Sequence, residues 1–423
     1  MSNGTAPASW NVRVRMYCHG LGDCFLISFS GGGHVLIDCG VLNPKYSKLR
    51  DAVADVAAVT GGKIDVVVIT HEHWDHVSGF TQARDLFDKI AFDDVWMGWT
   101  EKPGDSEADQ LHQRYDKIKD TLRLVSSYPG NPVADQTREL LGFFGLNSAA
   151  LAFSDSTREA LDYVRARMKG TGKGRYCEPG ETIVPFANGV KFHVLGPPRG
   201  KLLKKKDPAP GSRETYELAL ASATIDDPDS RNTWDFPFEA CFKRESDPAA
   251  PGTKLPQVLG VYNDPGEAWR RVDNDWLAGS AELALQMDSY TNNTSLALAV
   301  ELPSGDVLLF PGDAQVGNWQ SWHEVQWKTP DVSAAGLLAR TVLYKAGHHA
   351  SHNGTLRDKG LELMTSLREV MIPTDEAYAL TRNPKGSWQM PAKPLYAALD
   401  QKSNHNVVRS DGAGDTLYVD WYV

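Results

Sequence analysis

The sequence lacks an apolar run long enough to cross a membrane. A spanning helix needs about 20 predominantly apolar residues, and no run among the 423 residues approaches that length. Residues Met1 to Ala8 contain neither a basic nor an apolar segment, so they predict no signal peptide. The sequence therefore indicates a protein that does not interact with membranes, and we expect a cytoplasmic location.

Two further absences concern paired cysteines and positive charge. None of the five cysteines forms a CxxC pair, and their number is odd: Cys18, Cys24, Cys39, Cys177 and Cys241. This pattern argues against a disulfide framework and is typical of a reducing compartment. The net charge is −10 and the pI is about 5.7. This charge argues against a protein that coats long nucleic acid, which needs a broad basic face, but it does not exclude a basic groove at one site.

The densest group of potential metal ligands follows the short apolar run Val66–Ile69, which predicts a buried strand. Histidines and acids are then crowded into six positions: His71, Glu72, His73, Asp75 and His76. Imidazole and carboxylate groups are ligands for zinc, manganese and iron. His71 and His73 should point the same way, because side chains alternate along an extended chain. Since Asp75 and His76 come after a turn, we predict a second metal site beside the first.

Two later strands also end in potential ligands. The run Val307–Phe310 predicts a strand that ends at Asp313, whose two carboxylate oxygens suit a bridge between two metals. The run Thr341–Ala346 predicts another strand, followed by His348 and His349. One of these histidines should complete the second metal site. We favour His348, which leaves His349 and His352 to contact the substrate or to support the ligands.

Strands and helices alternate in both halves of the chain, which predicts an α/β (α+β) protein. Residues from about 80 to 175 predict a helical insertion. Residues from about 199 to 287 are rich in Pro, Asp, Ser and Gly, and predict an irregular insertion that is a candidate lid. A basic cluster near its start includes Lys204 and Lys205, which are either a phosphate-binding rim or a solvated loop.

The pattern Thr70-His71-x-His73-x-Asp75-His76 resembles the signature of the metallo-β-lactamase superfamily. This resemblance implies one four-layer αββα sandwich over residues 1–423, apart from the two insertions. Several shorter motifs resemble, more narrowly, the nuclease-like domain of the competence protein ComEC: Gly20-Leu21-Gly22-Asp23-Cys24, Ile37-Asp38-Cys39-Gly40, Val194-Leu195-Gly196-Pro197, Asn293-Thr294-Ser295-Leu296, Pro311-Gly312-Asp313 and Lys345-Ala346-Gly347-His348-His349-Ala350-Ser351.

The resemblance implies two divalent ions, Zn or Mn, that activate water to hydroxide. The first would be held by His71, His73 and Asp313, and the second by Asp75, His76, Asp313 and His348. Asp38 and Asp23 would lie behind these ligands and orient them. Asp75 and His349 are the predicted catalytic residues. The superfamily's further histidine ahead of the GD acid is not evident, so the first metal should have fewer ligands.

Three functions are compatible with these residues. The first is hydrolysis of a phosphodiester, in nucleic acid or a small nucleotide, which the ComEC-like motifs and the basic cluster favour. The second is hydrolysis of a carbonyl ester, lactone or amide on the same metals. The third is metal binding without turnover, or a redox relative. His73 argues against the redox relatives, which resemble HxExDH. The sequence predicts no particular protein partner.

Overall fold

The structure is a computed structural model that describes residues 11–42, 48–126, 141–144, 156–171, 174–208, 212, 214–215, 287–382 and 389–423. Two sheets organise these residues. The first has the strand order β14-β1-β2-β3-β4-β5-β6. Its strands are β1 (Val12–Tyr17), β2 (Cys24–Phe29), β3 (His34–Cys39), β4 (Lys63–Val68), β5 (Ala91–Gly98), β6 (Gly174–Cys177) and β14 (Tyr418–Tyr422). Strands β3 to β6 are mutually parallel.

The second sheet has the order β13-β12-β11-β10-β9-β8-β7. Its strands are β7 (Thr182–Ile183), β8 (Lys191–Val194), β9 (Leu298–Glu301), β10 (Val307–Phe310), β11 (Thr341–Lys345), β12 (Glu369–Ile372) and β13 (Val407–Arg409). Strands β10 to β13 are parallel, and the hairpins lie on the other side of β10. Each sheet therefore combines a parallel half with an antiparallel half.

Helices cover the outer faces of the sheets. The α-helices are α1 (Leu49–Thr60), α2 (Trp74–Val77), α3 (Gly79–Gln82), α4 (Arg84–Phe87), α5 (Ser106–Ser126), α6 (Ser156–Thr171), α7 (Val316–Trp322), α8 (Ala334–Ala339), α9 (Glu376–Arg382) and α10 (Lys393–Lys402). Short 3₁₀ helices lie at Trp99–Glu101, Gly142–Phe144, Gly200–Lys204, Gly347–Ala350, Leu361–Leu363 and Asp411–Ala413. Residues 287–293 are helical as well.

Alternation of side chains along the strands produces three stacked apolar layers. The central layer lies between the sheets, where Phe25 of the first meets Phe310 of the second with ring centroids 5.7 Å apart. The opposite face of the first sheet packs on α1 and α6, and the opposite face of the second packs on α7, α8 and α10. The prediction of a four-layer αββα fold is confirmed.

The predicted insertions need one correction. The prediction of a helical insertion over residues 80–175 is wrong for Ala91–Gly98, which forms β5 and pairs with β4 in the first sheet. Most of the predicted irregular insertion at 199–287 lies outside the described residues. No helix in the described ranges is long and apolar enough to cross a membrane.

Candidate metal centre

The parallel strands carry the predicted site residues at their carboxyl ends. In the first sheet, Asp38 lies at the end of β3 and residues 70–76 follow β4. In the second sheet, Asp313 follows β10 and His349 follows β11. The loop after β4 reaches the second sheet, because the Leu296 amide, just before β9, donates to the carbonyl of Thr70 over 2.8 Å. The fold therefore brings ligands from distant parts of the chain to one edge.

Asp38 fixes the loop that carries the histidines. Its Oδ1 accepts the Thr70 amide at 2.8 Å, and its Oδ2 accepts the Thr70 hydroxyl at 2.6 Å. The same Oδ2 lies 2.8 Å from Nδ1 of His76. Asp38 is completely buried and has a φ of +55°, a left-handed conformation that aspartate tolerates better than most residues. It thus lies behind His76, where the resemblance implied it.

Glycines let the Asp23 turn and the Asp38 loop approach Asp75 closely. The Asp23 amide donates to the Asp75 carbonyl at 2.9 Å, and the Gly40 amide donates to the Asp23 carbonyl at 3.0 Å. A Cβ on Gly40 would lie 2.4 Å from the carbonyl carbon of Asp75, and a Cβ on Gly22 would lie 2.7 Å from its oxygen. Only glycine fits at these two contacts.

His71 and His73 form the first pair of candidate ligands. Nε2 of His71 faces Nδ1 of His73 at 3.0 Å. Both rings are buried, and burial lowers the pKa of His71 well below its usual value and that of His73 to about 3. Neutral imidazoles have a free lone pair for a metal. The two side chains point the same way, as the alternation predicted.

A second group lies beside this pair. His349 Nε2 is 2.9 Å from Asp75 Oδ2 and 3.5 Å from Asp313 Oδ2. His76 Nε2 is 3.2 Å from Asp313 Oδ2 and 3.8 Å from Asp75 Oδ2. One ligand atom from each of Asp23, His76, Asp313 and His349 lies within 4.8 Å of the others. Buried carboxylate and imidazole atoms at such distances are a suitable donor set for a divalent cation.

Fixed hydrogen bonds orient three of the four histidine rings in these two groups. Nδ1 of His71 lies 3.0 Å from the Thr70 hydroxyl. Nδ1 of His76 is held by Asp38, and Nδ1 of His349 lies 2.6 Å from the carbonyl of Pro373. Each of these contacts places the proton on Nδ1, so Nε2 keeps its lone pair for the cluster.

The charges of the second group balance one another. Burial disfavours the imidazolium of His76, but the carboxylates of Asp313 and Asp23 raise its pKa well above the usual value. Although burial alone favours a protonated carboxyl, His76 and Lys345 hold the pKa of Asp313 well below its usual range. A divalent cation would take over the role of the imidazolium protons, because ligand histidines must be neutral to bind it.

Lys345 is a residue of the site that the sequence reasoning did not single out. Its ammonium group is buried, 2.6 Å from Asp23 Oδ2 and 3.1 Å from Asp313 Oδ1. These two carboxylates raise the Lys345 pKa despite the burial. Asp23 therefore lies among the ligand atoms and not simply behind them. The available signal was a lone lysine at the end of an apolar strand, directly before the paired histidines.

The structure places His349, not His348, next to the acids. Both residues have left-handed backbones, with φ of +48° at His348 and +49° at His349, so the two rings leave the turn in different directions. The ring of His348 lies 2.6 Å from the Ser351 hydroxyl and 3.4 Å from the Asn292 amide nitrogen. The prediction that His348 belongs to the second metal site is therefore corrected, and His349 takes its place.

The predicted substrate-binding residues lie outside the two groups of ligand atoms. Lys205 donates to the Gln320 side chain at 2.8 Å, and Lys204 lies partly buried on the 3₁₀ helix Gly200–Lys204. His352 is exposed, and its charge acts on His348. Within the basic cluster, the lysine whose charge acts on a residue near the ligands is Lys206, which opposes the rise in the pKa of Asp288.

Asp288 is a second residue that sequence reasoning missed. It is buried, and its Oδ1 lies 3.5 Å from Nε2 of His73. Burial and the carboxylates of Asp75 and Asp313 raise its pKa to about 8. A cation among these carboxylates would favour its ionised form. No sequence motif surrounds Asp288, so no signal pointed to it.

The residues present fit a metal centre. Within the described residues, several buried atoms of the two groups have no hydrogen-bond partner: Asp23 Oδ1, His73 Nε2, Asp75 Oδ1 and His76 Nε2. An unpartnered buried polar atom is costly, which indicates that something polar or charged completes the site. The set of four imidazoles and several carboxylates matches Zn²⁺ or Mn²⁺.

One segment of the chain matches a known family model. Residues 19–92 match the family model described as the Metallo-beta-lactamase superfamily, and this segment includes Asp23, Asp38 and the HxHxDH motif. The structure is also similar to YhfI from Bacillus subtilis, a metallo-beta-lactamase fold protein, with a TM-score of 0.37 and 9% sequence identity over 98% of this chain and 100% of that one. No curated protein matches the sequence. The chain is therefore similar to this superfamily over residues 19–92, the segment that carries the first candidate ligands.

Proposed function

We propose that this protein is a metal-dependent phosphodiesterase of the ComEC-like branch, acting on nucleic acid or a small nucleotide. The observation that carries the proposal is the convergence of His71 and His73 with a second group of buried ligands: Asp75, His76, Asp313 and His349. Such a donor set would hold two divalent cations. Divalent ions in such a centre lower the pKa of water toward neutrality and offset charge on the attacked phosphoryl group.

Neighbouring side chains and backbone groups fix the orientation of the candidate ligands in the absence of substrate. Thr70, Asp38 and Pro373 accept hydrogen bonds from Nδ1 of three imidazoles and set their orientation, so little reorganisation is needed on binding. Lys345 holds Asp313 from the side opposite the histidines and keeps two neighbouring carboxylates together. The ring of His348, which is not among the ligands in this proposal, would contact the substrate beside His349.

Positive charge near the site supports an anionic substrate. The segment that ends at Lys206 lies against the site, because the carbonyls of Lys205 and Lys206 accept hydrogen bonds from Asn293 and Asn353. The charge of Lys206 acts on Asp288. Together with two cations, this lysine would attract a phosphodiester by its field. An uncharged ester or lactone would not be attracted by this positive charge.

Parallel assays test the proposal. Metal-stripped protein resupplied with Zn²⁺ or Mn²⁺ would be given bis(p-nitrophenyl) phosphate and, separately, acyl esters and lactones. We expect metal-dependent turnover of the phosphodiester, and its loss in Asp75→Ala with the fold retained. Asp51→Ala, which changes an exposed aspartate on α1, is the matched control. Retained activity in Asp75→Ala contradicts the site. Turnover of esters alone would support the carbonyl hydrolase instead, and bound iron with oxygen uptake would support a redox relative.

A further inference from the structure

His73 differs from the other three histidines in how its ring is held. In the others, Nδ1 is tied to a fixed partner and Nε2 faces the cluster. In His73, Nδ1 faces His71, and the buried Nε2 has no hydrogen bond to any described residue. The ring packs against Phe143 and Phe144, with centroids 5.6 Å and 5.0 Å away. These contacts hold the ring in place but offer no acceptor for a proton on Nε2.

Asp288 is the carboxylate that stands opposite this nitrogen. Its Oδ1 lies 3.5 Å from Nε2 of His73, and its Oδ2 accepts the side-chain amide of Asn292 at 3.3 Å. Asp288 is 7% exposed and belongs to the helical segment 287–293. Among the described residues, no lysine or arginine lies within ion-pair distance of it. Its free oxygen is therefore available to the imidazole.

We propose that Asp288 is a positioning residue for His73, which accepts the proton of Nε2 when a divalent cation binds at Nδ1. A cation at Nδ1 leaves the neutral ring with its proton on Nε2, where it needs an acceptor. A buried N–H without an acceptor costs about 1–3 kcal/mol. Histidine ligands commonly donate their other N–H to a carboxylate. The present separation of 3.5 Å is longer than a hydrogen bond, so the proposal requires the carboxylate and the ring to move closer when the cation binds.

This role explains how the first metal position is supported without the further histidine that the superfamily usually has. Asp288 lies on the Nε2 side of the His73 ring, away from the Nδ1 that faces His71. It acts through His73 and does not take the place of a ligand. The inference rests on metal binding as proposed above but not on the identity of the substrate. A wild-type protein that binds no divalent cation would refute the metal centre itself.

The experiment measures how Zn²⁺ affinity changes when the Asp288 side chain loses its hydrogen-bond acceptor and, separately, when it loses only its negative charge. Asp288→Leu removes the acceptor, whereas Asp288→Asn keeps an oxygen that can face Nε2. The neighbouring Asn292 can turn its amide to suit the asparagine, because its Oδ1 has no partner among the described residues. Thr291→Val is the control within the same helical segment, since that hydroxyl donates to the carbonyl of Met287. Zn²⁺ affinity is measured by competition with a chromophoric chelator, with His71→Ala marking the first site.

We expect a 10–100-fold weaker first site in Asp288→Leu, and near wild-type affinity in Asp288→Asn and Thr291→Val. In ¹⁵N-histidine-labelled protein loaded with Zn²⁺, the Nε2 proton of His73 should give a downfield signal that is lost in Asp288→Leu and kept in Asp288→Asn. If Asp288→Asn binds as weakly as Asp288→Leu, charge or direct ligation is responsible and the proposal fails. Wild-type affinity in Asp288→Leu also overturns it. If Asp288→Leu does not fold, absence of the signal from wild-type protein decides against the proposal.

Discussion

Replacing Asp38 by asparagine changes one proton position at the second metal site with little change in shape. In the wild type, Oδ2 of Asp38 accepts from both the Thr70 hydroxyl and Nδ1 of His76. In Asp38→Asn, the oxygen stays with the Thr70 amide and the NH₂ group faces His76. Nδ1 must then accept, so the one remaining ring proton lies on Nε2, the nitrogen aimed at Asp313. The lone pair that a metal needs is lost.

The size of the effect follows from these contacts. To bind a metal, Asp38→Asn must either leave the Nδ1 proton of His76 without an acceptor or turn its amide against the Thr70 N–H. Either arrangement leaves one buried donor unsatisfied, at about 1–3 kcal/mol. Because about 1.4 kcal/mol corresponds to a tenfold change in affinity, we expect roughly 10–100-fold weaker binding at the second site. Without metal, only the Thr70 hydroxyl loses its acceptor, so the free energy of unfolding should fall by no more than about 0.5–1.5 kcal/mol, the contribution of one hydrogen bond.

Zn²⁺ titration against a chromophoric chelator measures this directly, together with thermal unfolding of the metal-free protein. Asp51→Asn makes the same chemical change at an exposed position on α1 and should leave both metal affinities unchanged. Wild-type affinity at both sites in a folded Asp38→Asn protein would refute the orientation of His76 by Asp38. A large loss of stability without metal would show that Asp38 mainly supports the fold.

Three further substitutions test other parts of the structure. Lys345→Met leaves two buried carboxylates without their cation, so the free energy of unfolding measured in urea without metal should fall by about 3–5 kcal/mol. Saturating Zn²⁺ should restore part of this free energy. An equal fall with and without metal contradicts this reasoning. Gly40→Ala places a Cβ 2.4 Å from the Asp75 carbonyl carbon, so it should lower the free energy of unfolding by about 1–3 kcal/mol and also reduce turnover. An unchanged melting temperature would show that the loop can move to make room for the methyl group. Burial raises the pKa of Glu369 from 4.5 to about 7, so wild-type stability should fall as the pH rises between these values. Glu369→Gln should unfold at a higher temperature than wild type above pH 7 and equally below pH 4.5, by on the order of 1 kcal/mol because the group is partly exposed; equal melting curves at pH 8 would contradict the shift.

The sequence predicted the features that depend on local periodicity. The strand before His71, the strand before Asp313 and the strand before His349 are each short apolar runs that end at ligands, and all three are present. Alternation along the chain was sufficient to predict that His71 and His73 face the same point. The alternation of strands and helices predicted the α/β class, and the resemblance to a known superfamily predicted the order of the αββα layers.

The features that the sequence did not predict depend on tertiary partners. Strand β5 contains two adjacent acids, Asp93 and Asp94, and its place in the sheet comes from pairing with β4. The choice between His348 and His349 depends on two left-handed backbone conformations that no local pattern indicates. Lys345 is buried because two acids from separate loops surround it.

Asp288 illustrates the same limit at the site itself. It lies far along the chain from His73, and only the folded structure brings the two side chains to 3.5 Å. An aspartate in a polar segment has no feature that separates it from a solvated one. Residues that support ligands through such contacts are therefore harder to predict from sequence than the ligands.

Anomalous diffraction from a crystal grown with Zn²⁺ or Mn²⁺ tests the central claim most directly. We expect two peaks at this edge of the sheets. One should lie about 2.1 Å from His71 Nε2 and His73 Nδ1, and the other at a similar distance from His76 Nε2 and His349 Nε2. Peaks confined to surface residues, with these four nitrogens left unligated, would contradict the account.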